Sequence, residues 1–216
     1  MNREKLLWDL QYTFCPHTDS WYSKLFNHDS VSGDITPKYC ELSESDILEI
    51  KKIYGNLKIV ITVRDPIERD WSRAKMNLCK AHKKKPSQIS HSQWIDHFNQ
   101  PDQAYANDYN ALYNRWSKVF GRENIHLIFF DEIEKDAWQV FTELCCFLEL
   151  KQLPKTYKSN IIRPVGTGIK NDIPEVYSQY LLSKHREKIL HFSEAFPNQA
   201  YSRQWINKYD KKTDNS

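Results

Sequence analysis

The sequence predicts an α/β fold with a parallel sheet, and three observations lead to this prediction. Residues 58–63 and 124–130 are short runs rich in β-branched and apolar residues, the composition of strands that are covered on both faces. Helical periodicity fills the chain between the two runs, and crossovers of this length join parallel strands. With 216 residues, 40% of them hydrophobic, the chain is large and apolar enough to bury a core.

The elements before the first strand are short. Residues 21–26 are long enough for one or two helical turns, and residues 33–39 have the composition of a loop. Ser43 is a helix N-cap, with Asp46 at the capping-box spacing. A stripe of isoleucines follows on one helical face, and Gly55 ends that helix.

The elements after the first strand alternate in type. We expect helices from Asp65 to about residue 78, over 92–98, up to Gly121, over 140–148 and over about 174–196. A basic connection covers 80–91 and a loop covers 159–173. No linker divides the chain, so we expect one domain over residues 1–209 and a frayed tail over 210–216.

Charge and composition exclude several classes of protein. A formal net charge of +3 is too small to predict a nucleic-acid partner. No run is long enough to span a membrane, and residues 1–10 hold no apolar signal core. We therefore expect a soluble, cytoplasmic protein with no membrane partner. The five cysteines lack a Cys-x-x-Cys spacing and fit reduced, buried thiols. The histidines form no ligand pattern with them, so we expect no metal site.

The junction after the first strand is the strongest candidate for a binding site. Arg64 follows the strand, Asp65 is a good N-cap, and Pro66 suits the first helical position. The helix start at the carboxyl end of a parallel strand attracts anions, and a guanidinium matches phosphate geometry. Ser72 adds a hydroxyl nearly two turns into the helix. The alternative is an ordinary strand-to-helix turn whose arginine makes a surface ion pair.

Several motifs in a fixed order resemble the sulfotransferase family that uses 3′-phosphoadenosine 5′-phosphosulfate (PAPS). Residues 58–72 are similar to the strand, Arg-x-Pro-x-x-Arg and serine of that family. Residues 109–150 resemble its tyrosine helix, second strand, acidic turn and Phe-Leu-Gly-Leu helix end. Upstream, Trp21-Tyr22 and the segment 33–39 are similar to the carbohydrate-directed and bacterial branches.

The resemblance implies a three-layer, P-loop-NTPase-like fold around a central parallel sheet. It also implies a PAPS-dependent enzyme that transfers a sulfuryl group to a hydroxyl or amine, on a carbohydrate acceptor. Arg64 and Ser72 would bind the 3′-phosphate of the nucleotide donor. Arg163 and Lys170 lie where related enzymes place a basic contact to the nucleotide. Arg69 matches the second arginine of the family, with a structural ion pair as the alternative.

The chain departs from the family pattern at its N-terminal end. Sulfotransferases open with a Gly-rich loop that carries a lysine, which cradles the 5′-phosphosulfate. Here the first of five glycines is Gly33, so the resemblance implies an N-terminally shortened fold. The alternative function is therefore a catalytically inactive or truncated member that serves as a nucleotide-binding or interaction module. Glu4 stands near the place of the family's catalytic base, and His17 is a second candidate.

Two further groups of charged residues have open interpretations. Asp131 and Glu132 end the second strand, either on the ligand face or as caps of the next helix. Lys83-Lys84-Lys85 would attract an acidic acceptor or form a solvated loop.

Overall fold

The computed structural model describes residues 18–26, 31–101, 107–163 and 172–210. The chain divides into two compact units, Met1–Tyr39 and Cys40–Ser216. Glu4, His17 and Lys170 lie outside the described residues, as do residues 211–216 of the predicted frayed tail. Asp210, the first residue of that predicted tail, ends a helix instead and forms a two-bond ion pair with Arg186. A single domain over 1–209 stays a prediction.

The first unit is organised around the carboxylate of Asp34. Helix α1 (Asp19–Ser23) presents the Tyr22 hydroxyl, which donates to Asp34 at 2.7 Å, and Thr36 donates at 3.1 Å. Tyr39 is a third hydroxyl donor to this carboxylate. Burial alone would raise the pKa of Asp34, but the hydrogen bonds from Tyr39, Tyr22 and Thr36 outweigh it and hold that pKa below its usual value.

Strands β1 (Ile59–Val63) and β2 (Ile125–Phe129) pair in parallel, with Ile59 opposite Ile125 and Val63 opposite Phe129. The parallel pairing of the two predicted strands is confirmed. The prediction that both faces of β1 are covered is wrong, because Ile61 and Val63 are buried while Val60 and Thr62 are exposed. The β-branched run reflects the preference of such side chains for a pleated backbone, which holds whether or not both faces are covered.

Helices make up most of the second unit. Their bounds are α2 Glu44–Tyr54, α3 Pro66–Ala74, α4 His91–Phe98, α5 Tyr109–Phe120, α6 Phe130–Phe147, α7 Lys158–Ile161, α8 Glu175–Ala195 and α9 Tyr201–Asp210. A π-helical segment, Lys75–Lys80, continues α3, and short 3-10 helices cover Pro37–Glu41, Pro86–Gln88, Arg122–Asn124 and Lys155–Tyr157. None of the described helices is both long and apolar enough to cross a bilayer.

The predicted helix ends are confirmed where the sequence carries a specific cap. Ser43 and Asp46 form a reciprocal capping box at the start of α2. Gly55 and Gly121 end α2 and α5 with φ of 70° and 87°, a region that favours glycine. Helix α6 begins directly after β2, earlier than predicted, and is kinked at Asp136, where φ is −154°. Helix α9 was not predicted.

The carboxyl end of β2 lies in an aromatic part of the core. Phe129 is fully buried, and its ring lies 6.0 Å from Phe192 of α8 and 6.0 Å from Trp205 of α9. Helix α8 packs against α3, α5 and α9, and α5 contacts both strands. The C-terminal helices therefore converge on the sheet edge from which Arg64 and Phe130 emerge.

Candidate functional site

A cavity of about 270 Å³ lies at the carboxyl edge of the sheet. Because β1 and β2 are parallel and in register, Arg64 and Phe130 leave the sheet side by side, and the Arg64 guanidinium lies 4.4 Å from the centre of the Phe130 ring. The start of α3, the start of α6 and one face of α9 form the walls. The lining residues are Arg64, Asp65, Glu68, Phe130, Asp131, Glu134, Gln204, Trp205 and Lys208.

The backbone of Arg64 is fixed by the buried hydroxyl of Tyr109 on α5. This hydroxyl donates to the Arg64 carbonyl at 2.8 Å and accepts from the Arg64 N–H at 3.3 Å. Burial raises the pKa of Tyr109 to about 12, so the phenol keeps the proton that it donates. The Arg64 side chain, 33% exposed, therefore starts from a rigid position at the end of β1.

Asp65 caps α3 as the sequence predicts, accepting from the Ile67 N–H at 2.9 Å. Its carboxylate is buried and also accepts from the Tyr209 hydroxyl of α9 at 2.8 Å. Burial raises the pKa of Asp65 to about 6, although these two hydrogen bonds act in the opposite direction. Helix α9 is thus tied to the start of α3 by a carboxylate that ionises near pH 6.

Glu68 joins Arg64 to the C-terminal helix. Its Oε2 accepts from Arg64 Nη2 at 3.2 Å, and its Oε1 accepts from Lys208 Nζ. Burial raises the pKa of Glu68, but the hydrogen bond and charge of Lys208, together with those of Arg64, outweigh it and leave the pKa below its usual value. The ion pair that the sequence offered as an alternative for Arg64 is therefore present, and it faces the cavity.

Ser72 lies on the same helical face as Glu68, one turn further along α3. Residues four and seven positions beyond Glu68 are Ser72 and Lys75, so the three share a face. Burial lowers the pKa of Lys75, and the positive charge of Arg64 lowers it further, as expected for two nearby cations. Ser72 is half-buried and does not line the cavity. The joint contact of Arg64 and Ser72 with a phosphate stays a prediction.

The remaining predicted residues fall in different places. Arg163 is exposed beyond α7 and does not line the cavity. Asp131 does line it, where it accepts from Trp205 Nε1 at 3.1 Å, whereas Glu132 caps α6 by accepting from the Phe129 N–H at 3.2 Å. Glu4 and Lys170 cannot be placed, since neither belongs to the described part of the chain.

Arg69 belongs to a buried polar network and not to the cavity wall. It donates to Asn107 at 3.1 Å, and Asn107 donates to Asp70 at 2.6 Å. The second oxygen of Asp70 lies 2.7 Å from His185 Nε2 on α8. This network connects α3 to α8.

The lysine run 83–85 is exposed on the connection between α3 and α4. Within the described ranges, no group of three or more His, Cys, Asp or Glu residues is arranged to hold a metal ion.

Sequence reasoning missed three charged residues of this region. Lys75 had a usable signal, because it lies three residues after Ser72 on a predicted helix. Glu68 had a usable signal too, because it lies four residues after Arg64. Lys208 had no local signal, since its place in the cavity depends on how α9 packs.

The chain matches the family model described as the sulfotransferase family over residues 11–154. A solved structure, the crystal structure of the sulfotransferase from Alicyclobacillus acidocaldarius, aligns with a TM-score of 0.59 at 20% identity. The alignment covers 90% of this chain and 78% of that one. No curated protein matches the chain. The structural match shows a shared α/β, P-loop-like fold over most of the chain.

Proposed function

The chain belongs to the sulfotransferase family, and from that premise we propose that it binds PAPS through Arg64 and Ser72 and transfers the sulfuryl group to an acceptor. Family and fold support sulfuryl transfer in general. The finer proposal is that Arg64 and Ser72 take the 3′-phosphate and that the acceptor is a hydroxyl or amine on a carbohydrate. Arg163 and Lys170 are proposed as further contacts to the nucleotide.

The observation that carries this proposal is the position of Arg64. It stands at the carboxyl end of β1, beside the start of α3, where a guanidinium and the helix dipole both favour an anion. A phosphate ester offers two oxygens to the guanidinium fork. The nearby charge of Lys75 and the hydroxyl of Ser72 on the adjoining helical face fit such a dianion.

When bound, PAPS supplies an activated sulfur whose bond to the phosphate oxygen breaks as the bond to the acceptor oxygen or nitrogen forms. The chain must hold the nucleotide, align the acceptor and accept the acceptor's proton. Arg64, fixed by Tyr109, serves the first of these tasks. Glu4 is the proposed base.

A family member without transferase activity that serves as an interaction module is the second candidate. One observation favours it: Glu68 already pairs with Arg64, and the cavity wall carries four carboxylates against two cations. Such a lining weakens anion binding. Absence both of binding of adenosine 3′,5′-bisphosphate and of transfer of label from a ³⁵S-labelled donor to any glycan acceptor would identify this module.

Titration calorimetry with adenosine 3′,5′-bisphosphate tests the binding proposal. Two charge-assisted hydrogen bonds from Arg64 predict that Arg64→Ala weakens binding by roughly 100-fold, and Ser72→Ala by about tenfold. Arg122→Ala, at an exposed arginine of a 3-10 helix, is the matched control. Adenosine 5′-monophosphate, which lacks the 3′-phosphate, should bind the unmodified chain as weakly as the bisphosphate binds the Arg64 variant. Equal affinities of wild type and Arg64→Ala would overturn the proposal.

A further inference from the structure

Helix α9 brings a second cation to the carboxylate that holds Arg64. Lys208 and Arg64 bind the two oxygens of the same Glu68 side chain. The two cations are therefore close enough for a single carboxylate to bridge them. The Lys208 side chain is 50% exposed, and it lines the cavity with Arg64. A half-exposed ammonium on a flexible stem can change partners without moving its helix.

We infer that Lys208 is a second cation for the phosphate of the donor, and that this phosphate displaces Glu68, which binds both cations in the free protein. The inference rests on the proposed function. In the free protein one carboxylate satisfies both cations. A phosphate carrying up to two negative charges, with three terminal oxygens, complements the pair better than a single carboxylate does. The phosphate then takes the place of Glu68 between Arg64 and Lys208.

The docking of α9 does not depend on Lys208. Trp205 donates to Asp131, Tyr209 donates to the buried Asp65, and Asp210 pairs with Arg186 of α8. None of these three contacts involves Lys208. Removing the ammonium should therefore change the charge of the site and leave the wall in place.

Asp65 explains how Lys208 stays near the site once Glu68 has left. Its carboxylate lies 3.9 Å from Lys208 Nζ. That second, longer contact keeps the ammonium on the cavity side of α9 while its shorter bond passes from Glu68 to the phosphate.

The test is titration of five purified chains, the unmodified one, Arg64→Ala and three further variants, with adenosine 3′,5′-bisphosphate. Lys208→Ala should weaken binding roughly tenfold, because one charge-assisted contact is lost. Glu68→Gln should tighten binding several-fold, because the competing carboxylate is gone. Lys118→Ala is the matched control: this lysine pairs with Glu44 at 2.6 Å on an exposed surface and does not line the cavity. Its affinity should equal that of the unmodified chain.

A purely structural role for Lys208 predicts a different pattern. Lys208→Ala would then lower the melting temperature of the free protein with no change in affinity, and Glu68→Gln would not tighten binding. If Arg64→Ala weakens binding as the proposed function expects, either result overturns the inference and leaves the proposed function standing. Failure of the unmodified chain to bind the bisphosphate overturns the proposed function itself.

Discussion

Replacing Tyr209 by Phe removes one hydroxyl from the buried contact between α9 and the start of α3. Tyr209 and Asp65 are each 2% exposed, and the hydroxyl donates to the carboxylate at 2.8 Å. A hydrogen bond to a buried charged acceptor is worth about 1.5–3 kcal/mol, so we expect a loss of roughly 2 kcal/mol of unfolding free energy at pH 7.5. The ring remains, so no cavity adds to this figure.

The effect should depend on pH through Asp65. Its pKa in the folded chain is raised to about 6, so the carboxyl is ionised at pH 7.5 and protonated at pH 5. A protonated carboxyl is a weaker acceptor, and the loss at pH 5 should fall to about 1 kcal/mol. Urea unfolding followed by tryptophan fluorescence at the two pH values measures both numbers.

Tyr180→Phe is the matched control for this prediction. Its hydroxyl also donates at 2.8 Å, but to the neutral and exposed amide oxygen of Asn99. We expect a change below about 0.5 kcal/mol at both pH values. A Tyr209→Phe loss as small as that of the control, or one that grows from pH 7.5 to pH 5, would refute the reasoning.

Three further predictions concern stability. Asp70→Ala removes the buried carboxylate that His185 and Asn107 contact, so the free energy of unfolding measured in urea should fall by about 3 kcal/mol. A loss below about 1 kcal/mol would contradict this prediction. Ser43→Ala removes the capping box of α2 and should cost about 1 kcal/mol in the same assay, whereas no change would show that the cap is dispensable. Asp65→Asn should change how the free energy of unfolding depends on pH. Because burial raises the pKa of Asp65 from 3.8 to about 6, the unmodified chain should lose roughly 3 kcal/mol of unfolding free energy relative to the variant between pH 4 and 6, and no more above pH 6. Parallel pH profiles of the two chains would contradict this.

Local sequence patterns predicted the strands and the helix ends that depend on residues close by in the chain. The β-branched runs located both strands to within about one residue, and the Ser43 cap and Gly55 bounded α2. The junction at Arg64 followed from a strand, an N-cap and a proline in succession. Each of these features depends on neighbours only a few residues away.

The cavity wall supplied by α9 could not be predicted in this way. Its buried residues, Ser202, Trp205, Ile206 and Tyr209, form a short stripe in a ten-residue helix, too brief to stand out from a polar C-terminal segment. Lys208 meets Glu68 across 140 positions of sequence. Contacts of this separation follow from the packing of α8 and α9, which no local pattern encodes.

The most direct test of the central claim is a crystal structure of the chain with adenosine 3′,5′-bisphosphate. We predict that the 3′-phosphate lies within hydrogen-bond distance of the Arg64 guanidinium and the Ser72 hydroxyl, beside the start of α3. A nucleotide bound elsewhere, with the guanidinium still on Glu68, would contradict the account.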